Sequence, residues 1–271
     1  MTHIDWLSLT CAPLRAPEQL YVASPAREID ALKLRFGAVW DQLNSASEWV
    51  TTHPRAPFNR CWDNGHGVLI FASPSIKYIL VEVQGQGCAW LMSQSLLIPI
   101  MQSALARITR IDVAVDIVCD TEPEHILARG YNQRFLSRTS IQSESGDTEY
   151  IGSLKADRFC RIYRFSPPHP RANTLRVEFV NRRHVAKAVA TRIIDRGLPY
   201  VASALMIDYG IQSSFVLIDG AFVTVDYPPA NRCSMVTEGW LIKQVAPSFK
   251  KLVKKGVIPD PIAWLNKYFM E

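Results

Sequence analysis

The stretch Arg110-Ile111-Asp112-Val113-Ala114-Val115-Asp116-Ile117 sets two carboxylates on either side of one small residue. On a strand, alternate residues share a face, so Arg110, Asp112, Ala114 and Asp116 point one way. Ile111, Val113, Val115 and Ile117 point the other way, into a core. Two acids on one strand face repel unless a cation, a donor or water neutralises them. An oxygen-only donor set of this kind suits Mg²⁺ or Mn²⁺. A solvated strand face with Arg110 as partner is the simpler alternative.

Two further stretches carry the same alternation. In Arg158-Phe159-Cys160-Arg161-Ile162-Tyr163-Arg164-Phe165, Arg161 and Tyr163 share a face. A tyrosine hydroxyl has a pKa of about 10 and is a weak nucleophile at neutral pH. A neighbouring cation stabilises the phenolate and holds a phosphate. In Leu175-Arg176-Val177-Glu178-Phe179-Val180, Arg176 and Glu178 oppose an apolar face of Leu175, Val177 and Phe179. Glu178 is a third candidate ligand or base, and Glu82 in Leu80-Val81-Glu82-Val83 a fourth. For all of these an ordinary polar sheet face is the plainer reading.

Ser248-Phe249-Lys250-Lys251-Leu252-Val253-Lys254-Lys255-Gly256 pairs Lys250 with Lys254 and Lys251 with Lys255 at helical spacing. Like charges so placed cost stability unless an anion is near, and a phosphate backbone is the natural partner. A solvated basic face is the alternative. The chain of 271 residues carries a net charge of +5. Residues 232–271 hold Arg232, Lys243, Lys250, Lys251, Lys254, Lys255 and Lys267 against Glu238, Asp260 and Glu271, or +4 of that total. Such asymmetry points to a terminal surface for an anionic partner.

Other chemistries lack their motifs. There is no His-hydrophobic-His pair, no G-x-x-x-x-G-K-[ST] phosphate loop and no G-x-S-x-G elbow. Gly85-Gln86-Gly87 is too short for a dinucleotide fingerprint and reads as a strand-to-helix turn. Six cysteines (Cys11, Cys61, Cys88, Cys119, Cys160, Cys233) form no CxxC pair, so reduced and mostly buried thiols are expected. Hydrophobic residues at 48% and charged ones at 20% exclude a disordered, collagenous or coiled-coil chain. Apolar runs such as Leu96 to Ile100 fall short of the ~18–20 residues that span a bilayer. Neither a membrane span nor a secretory signal is expected.

The elements that must hold these residues follow from periodicity. Ile4 to Thr10 reads as a strand and Ala26 to Val50 as an amphipathic helix with Leu32, Phe36, Val39, Trp40 and Leu43 on one stripe. Gly67 to Ala72 and Ile76 to Gln84 form a hairpin, Cys88 to Ala106 a helix and Arg107 to Val118 a strand. The order β-α-β-β-α-β is ferredoxin-like. Beyond it, Glu122 to Gly146 reads as a helix with a loop. Strands follow at Glu149 to Ser153, Phe159 to Phe165, Leu175 to Asn181, Ser214 to Ile218 and Phe222 to Val225. Helices are expected at His184 to Arg196 and Ser234 to Gly256. The expected fold is α+β: two ferredoxin-like halves with antiparallel sheets, 1–118 and 119–231, and a basic helical segment, 232–271.

In order along the chain, Ile4-Asp5-Trp6, Gly85-Gln86-Gly87-Cys88, Thr109 to Asp116, Glu149-Tyr150-Ile151-Gly152-Ser153, Arg161-Ile162-Tyr163, Leu175 to Glu178 and Gly239-Trp240-Leu241 form a pattern. It resembles the replication initiation factor family of rolling-circle plasmids and filamentous phages. The resemblance implies a DNA nicking and rejoining enzyme of the bacterial cytoplasm. Its tyrosine attacks a backbone phosphate, giving a 5′-phosphotyrosine and a free 3′-hydroxyl. It implies Tyr163 as nucleophile, with Tyr150 as the alternative, and Arg161 as phosphate clamp. Asp112, Glu178 and Asp116, with Glu82 as a weaker candidate, would hold Mg²⁺ or Mn²⁺. Arg164, Arg176 and the four lysines would contact DNA. The partners implied are origin DNA as a hairpin or single strand, a host helicase and a second copy of the chain. Family members follow the tyrosine with an acid, a lysine and a glycine. Here Arg164-Phe165-Ser166 stands instead, so either Arg164 or Arg171 substitutes for the lysine or the protein nicks poorly. A non-catalytic origin-binding protein or repressor, and a relaxase that mobilises an element, are the alternatives on the same scaffold.

Overall fold

A computed structural model describes residues 1–12, 26–118, 137–143, 146–165 and 174–211, with isolated positions 251, 253 and 260. Met1–Asp226 make one compact unit and Tyr227–Glu271 another. The architecture below is that of the first.

Its described strands are β1 (Thr2–Cys11), β2 (Val50–Thr52), β3 (Arg60–Asp63), β4 (Val68–Ala72) and β5 (Ile79–Gln84), then β6 (Ile108–Val118), β7 (Arg138–Ile141), β8 (Thr148–Ile151), β9 (Arg158–Arg164) and β10 (Thr174–Arg182). The helices are α1 (Ala26–Phe36), α2 (Val39–Ser45), α3 (Gly85–Ser93), α4 (Leu97–Ala104), α5 (Arg183–Arg196) and α6 (Leu198–Asp208). All the strands join one antiparallel sheet in the order β2-β3-β4-β5-β1-β6-β10-β9-β8-β7. The α+β class is as expected. The first segment places β4-β5-β1-β6 side by side, with helices between β1 and β4 and between β5 and β6. Among the described residues of the second segment, β7, β8, β9 and β10 run as a meander, and α5 and α6 follow. The expected strands at Ser214 to Ile218 and Phe222 to Val225 lie outside the described residues. So does most of the expected helix at Ser234 to Gly256.

One sheet face is the core. Leu7, Leu9, Val81, Val83, Ile111, Val113, Val177 and Phe179 are all buried on it. Complete burial of such a side chain stabilises by about 1.5–3 kcal/mol. Helices α3, α5 and α6 pack there, and Phe179 meets the Tyr209 ring at 5.3 Å. Trp40 and Leu43 of α2 and Leu97, Ile100 and Met101 of α4 are buried as well.

Both long expected helices are broken. Gly37 adopts φ +90° and its N–H donates to the Lys33 carbonyl at 2.8 Å, which closes α1 and separates it from α2. Ser95, at φ +57°, separates α3 from α4, whose axes bend by 106°. Pro99 supplies the reason: it lacks an N–H and its ring would strike the carbonyl four residues back, so it fits only in the first turn of a new helix. Gly197-Leu198-Pro199 ends α5 as expected. It also starts α6, with Pro199 in the first turn where its missing donor costs nothing. Among the described residues no single helix is long and apolar enough to cross a membrane. Cys11, Cys61, Cys88 and Cys160 are buried, as expected of most of the thiols.

Gly87 ties the β3–β4 turn to α3. A Cβ there would stand 2.5 Å from the Gly67 carbonyl oxygen, against backbone that cannot rotate away. Gly87→Ala therefore lowers stability by about 1–3 kcal/mol, read as an earlier urea midpoint. A midpoint equal to wild type would show that the turn yields without cost.

Candidate active site

The face opposite the core collects the polar residues. Register across β9, β10 and β6 sets Tyr163 opposite Arg176 and Arg176 opposite Asp116. One step along, Arg161 stands opposite Glu178, and Glu178 opposite Ala114. Asp112 lies two residues further along β6, opposite Val180. This face is not solvated: Asp112 and Glu178 are each 0% exposed, and Asp116 and Arg176 are also buried.

Burial forces pairing, because an unpaired charge in a low-dielectric interior costs several kcal/mol. Each acid is matched by an arginine. Arg161 Nε and Nη2 donate to Glu178 Oε2 and Oε1 at 2.7 and 2.5 Å. Arg176 Nε and Nη2 donate to Asp116 Oδ1 and Oδ2 at 2.7 and 2.9 Å, and its Nη1 reaches Asp5 Oδ1 at 2.9 Å. Arg110 Nε and Nη2 donate to Asp112 at 3.0 and 2.5 Å. His3 stands 3.6 Å from Asp5 and 4.0 Å from Asp116.

Tyr163 is half-buried, and its hydroxyl donates to Glu178 Oε2 at 3.3 Å. The Arg161 guanidinium is 5.6 Å from its ring centroid, and Phe165 meets the ring edge-on at 5.7 Å. Arg176 covers Phe165 at 4.8 Å. Burial, then the Glu178 charge, push the Tyr163 hydroxyl up to about 12; Arg176 and Arg161 oppose this without prevailing. Burial likewise pushes Asp112 up to about 7, over the opposing pull of Arg110. At Asp5, burial is outweighed by the His3 hydrogen bond and the Arg176 charge, so its carboxyl lies below the usual range.

The remaining candidates are dispersed. Glu82 shares the face but sits on β5, beyond β1, where Arg55 engages it. Tyr150 lies on β8 opposite Arg161. Arg164 alternates to the other face, opposite Leu175. Lys251 is helical and exposed, whereas Lys250, Lys254 and Lys255 lie outside the described residues.

Asp112, Asp116 and Glu178 do not fit the expected metal set. Every one already accepts two hydrogen bonds from a guanidinium. Among the described residues no group of three or more His, Cys, Asp or Glu side chains could hold a metal ion. Mg²⁺ or Mn²⁺ would have to displace an arginine. The face also includes two residues that were not singled out as site candidates, Asp5 and His3, while Arg110 is the expected partner of the acids on its strand. Asp5 gives no signal in the alternation, because β1 carries a register shift between Ile4 and Trp6 that makes it the extra residue of a bulge.

No protein-family model matches the chain, and no curated protein matches it. Among solved structures it is similar to the rolling-circle replication initiator protein from Geobacillus stearothermophilus. The TM-score is 0.50 at 18% identity, over 84% of this chain and 91% of that one. At that identity the likeness establishes a shared fold.

The raised Asp112 carboxyl sets a pH dependence. The folded state keeps its proton up to about 7, the unfolded chain only up to the ordinary 3.8. Its contribution to stability is full below the lower value and is lost as pH rises through the upper one. The difference in unfolding free energy between wild type and Asp112→Asn should therefore shrink from about pH 4 to about pH 7. Parallel urea-unfolding curves across that window would refute the assignment.

Proposed function

We propose that this chain is a rolling-circle replication initiator that cuts and rejoins one DNA strand through Tyr163. The carrying observation is the Tyr163 hydroxyl, 3.3 Å from Glu178 and flanked by Arg161 and Arg176, in a fold shared with such an initiator. The Arg161-x-Tyr163 motif and the resemblance in sequence point the same way.

In the proposed reaction the Tyr163 oxygen attacks the phosphorus of a backbone phosphodiester. The bond from phosphorus to the 3′ oxygen breaks, leaving a 5′-phosphotyrosine. Glu178 takes the phenol proton, and the departing 3′ oxygen takes a proton from water and ends as a hydroxyl that can prime synthesis. Rejoining is the reverse attack by that hydroxyl. Arg161 and Arg176 lie where negative charge develops on the phosphate, the arrangement that most lowers such barriers. Asp116 and Asp5 orient Arg176, and no step is routed through a metal ion. Origin DNA is the proposed partner, with the lysine-rich stretch around Lys251 a second region of phosphate contact.

One observation favours a second reading, DNA binding without strand cutting. The Tyr163 hydroxyl is pushed up to about 12, so the phenolate is scarce at neutral pH unless a base acts during attack.

Incubation with a supercoiled origin plasmid, with Mg²⁺ or Mn²⁺ and with chelator in parallel, separates the two. Wild type should give nicked circles and a covalent adduct. Tyr163→Phe should lose both by at least about a hundredfold while still binding the DNA. Tyr150→Phe should nick as wild type does. Equal nicking by wild type and Tyr163→Phe would remove Tyr163 from the chemistry, and tight binding with no nicking by wild type would favour the second reading.

A further inference from the structure

Beside Tyr163, and sharing Arg176 and Asp5 with the proposed site, lies a cavity of about 670 Å³. Its size is that of a small-ligand pocket. It forms because β5 ends at Gln84 and turns directly into α3, while β1 runs on toward its own start. From Thr2 to Asp5, β1 pairs with β6 on one side only. On its other side that stretch has no strand partner among the described residues, and it lines the cavity.

Three kinds of wall meet there. The edge of β1 offers backbone donors and acceptors together with the His3 and Asp5 side chains. Gly85 and Gln86 at the start of α3 add an amide and the positive end of a helix dipole. Cys88, Ala89, Met92, Leu97 and Leu198 supply apolar surface. The last wall is Phe165 with Arg176, the pair that also touches Tyr163.

We infer that this cavity receives one unpaired nucleobase of the DNA strand, next to the phosphate that Tyr163 attacks. The inference rests on the proposed function, which supplies the strand. A base is flat and apolar on its faces and carries donors and acceptors on its edge. The cavity matches both: an aromatic ring and aliphatic side chains for the faces, and a strand edge without a strand partner among the described residues, Asp5 and Gln86 for the rim. A duplex does not offer such a base, so the cavity selects single-stranded or melted DNA. Arg176 links the two sites, since it pairs with Asp5 on the cavity side and stands opposite Tyr163 on β9.

The probes are an oligothymidylate and an abasic oligonucleotide of the same length, neither of which needs to be cut. Wild type should bind the first about tenfold tighter than the second, the scale of one stacked base. Ala89→Trp fills the cavity from the exposed side of α3 and should bind both probes alike, at the abasic level. Met92→Trp should do the same, and circular dichroism reports folding of both variants. Equal binding of both probes by wild type overturns the inference, as does a full base preference retained in either folded variant. These outcomes leave Tyr163-dependent nicking standing. Failure of wild type to bind either probe overturns both the cavity and the proposed function.

Discussion

Carboxylates buried on a sheet face must be neutralised where they stand. Asp112 and Glu178 are wholly withdrawn from water, and Asp116 nearly so. Their guanidinium partners are thereby fixed in direction as well as in place, because a bidentate pair leaves little freedom to rotate. The side chains of Arg161 and Arg110 keep 34% and 28% of their surface, while those of their acids keep none. The acids thus act as buried feet for arginines whose rims reach outward. Arg110 lies over Trp6 at 4.6 Å, Arg161 over Tyr163 and Arg176 over Phe165, so aromatic rings brace the same groups from a second side.

This construction trades attraction for position. Arg110, Arg161 and Arg176 are outnumbered by Asp5, Asp112, Asp116 and Glu178, so the cluster by itself does not draw a polyanion from a distance. Long-range attraction needs unpaired charge, and the sequence holds +4 of its +5 in residues 232–271. Under the proposed function the two tasks would divide: the lysine-rich segment would gather DNA and the nearly neutral cluster would align one phosphate. Arginine suits the second task better than lysine because its planar fork matches both a carboxylate and a phosphate.

Alternation along single strands was legible in the sequence. It placed Arg161 with Tyr163, Arg176 with Glu178 and Asp112 with Asp116, because a period of two needs no tertiary information. Register between strands was not legible. Nothing in the sequence says that Arg176 stands between Tyr163 and Asp116, or that Glu82 lies across β1 from the rest. The face also reads as polar and hence solvated, since its burial depends on what the folded chain brings over it. Asp5 was hidden by a bulge that shifts Trp6 and Ser8 to the polar face while Ile4 stays with Leu7 in the core. The breaks at Gly37 and Pro99 were visible as residues but outweighed by the apolar stripes around them. A stripe continues across a break whenever both helices bury their faces in the same core.

The site holds an apparent contradiction in Tyr163. Its hydroxyl resists ionisation because it is half-buried beside Glu178, yet Glu178 is the acceptor of its hydrogen bond. Arg161 donates to both Glu178 oxygens. In the proposed function, a phosphate entering the site would change this arrangement. It competes for Arg161, whose guanidinium has an exposed rim, and each hydrogen bond that Arg161 transfers to the phosphate is one that Glu178 gives up. In the proposed reaction a Glu178 oxygen released in this way would be placed to accept the phenol proton as the phosphorus comes within reach of the Tyr163 oxygen. Without DNA, burial and the Glu178 charge keep the phenol protonated at neutral pH. The ion pair that makes the fold tolerable at this position would therefore also hold the nucleophile in reserve until a phosphate is present.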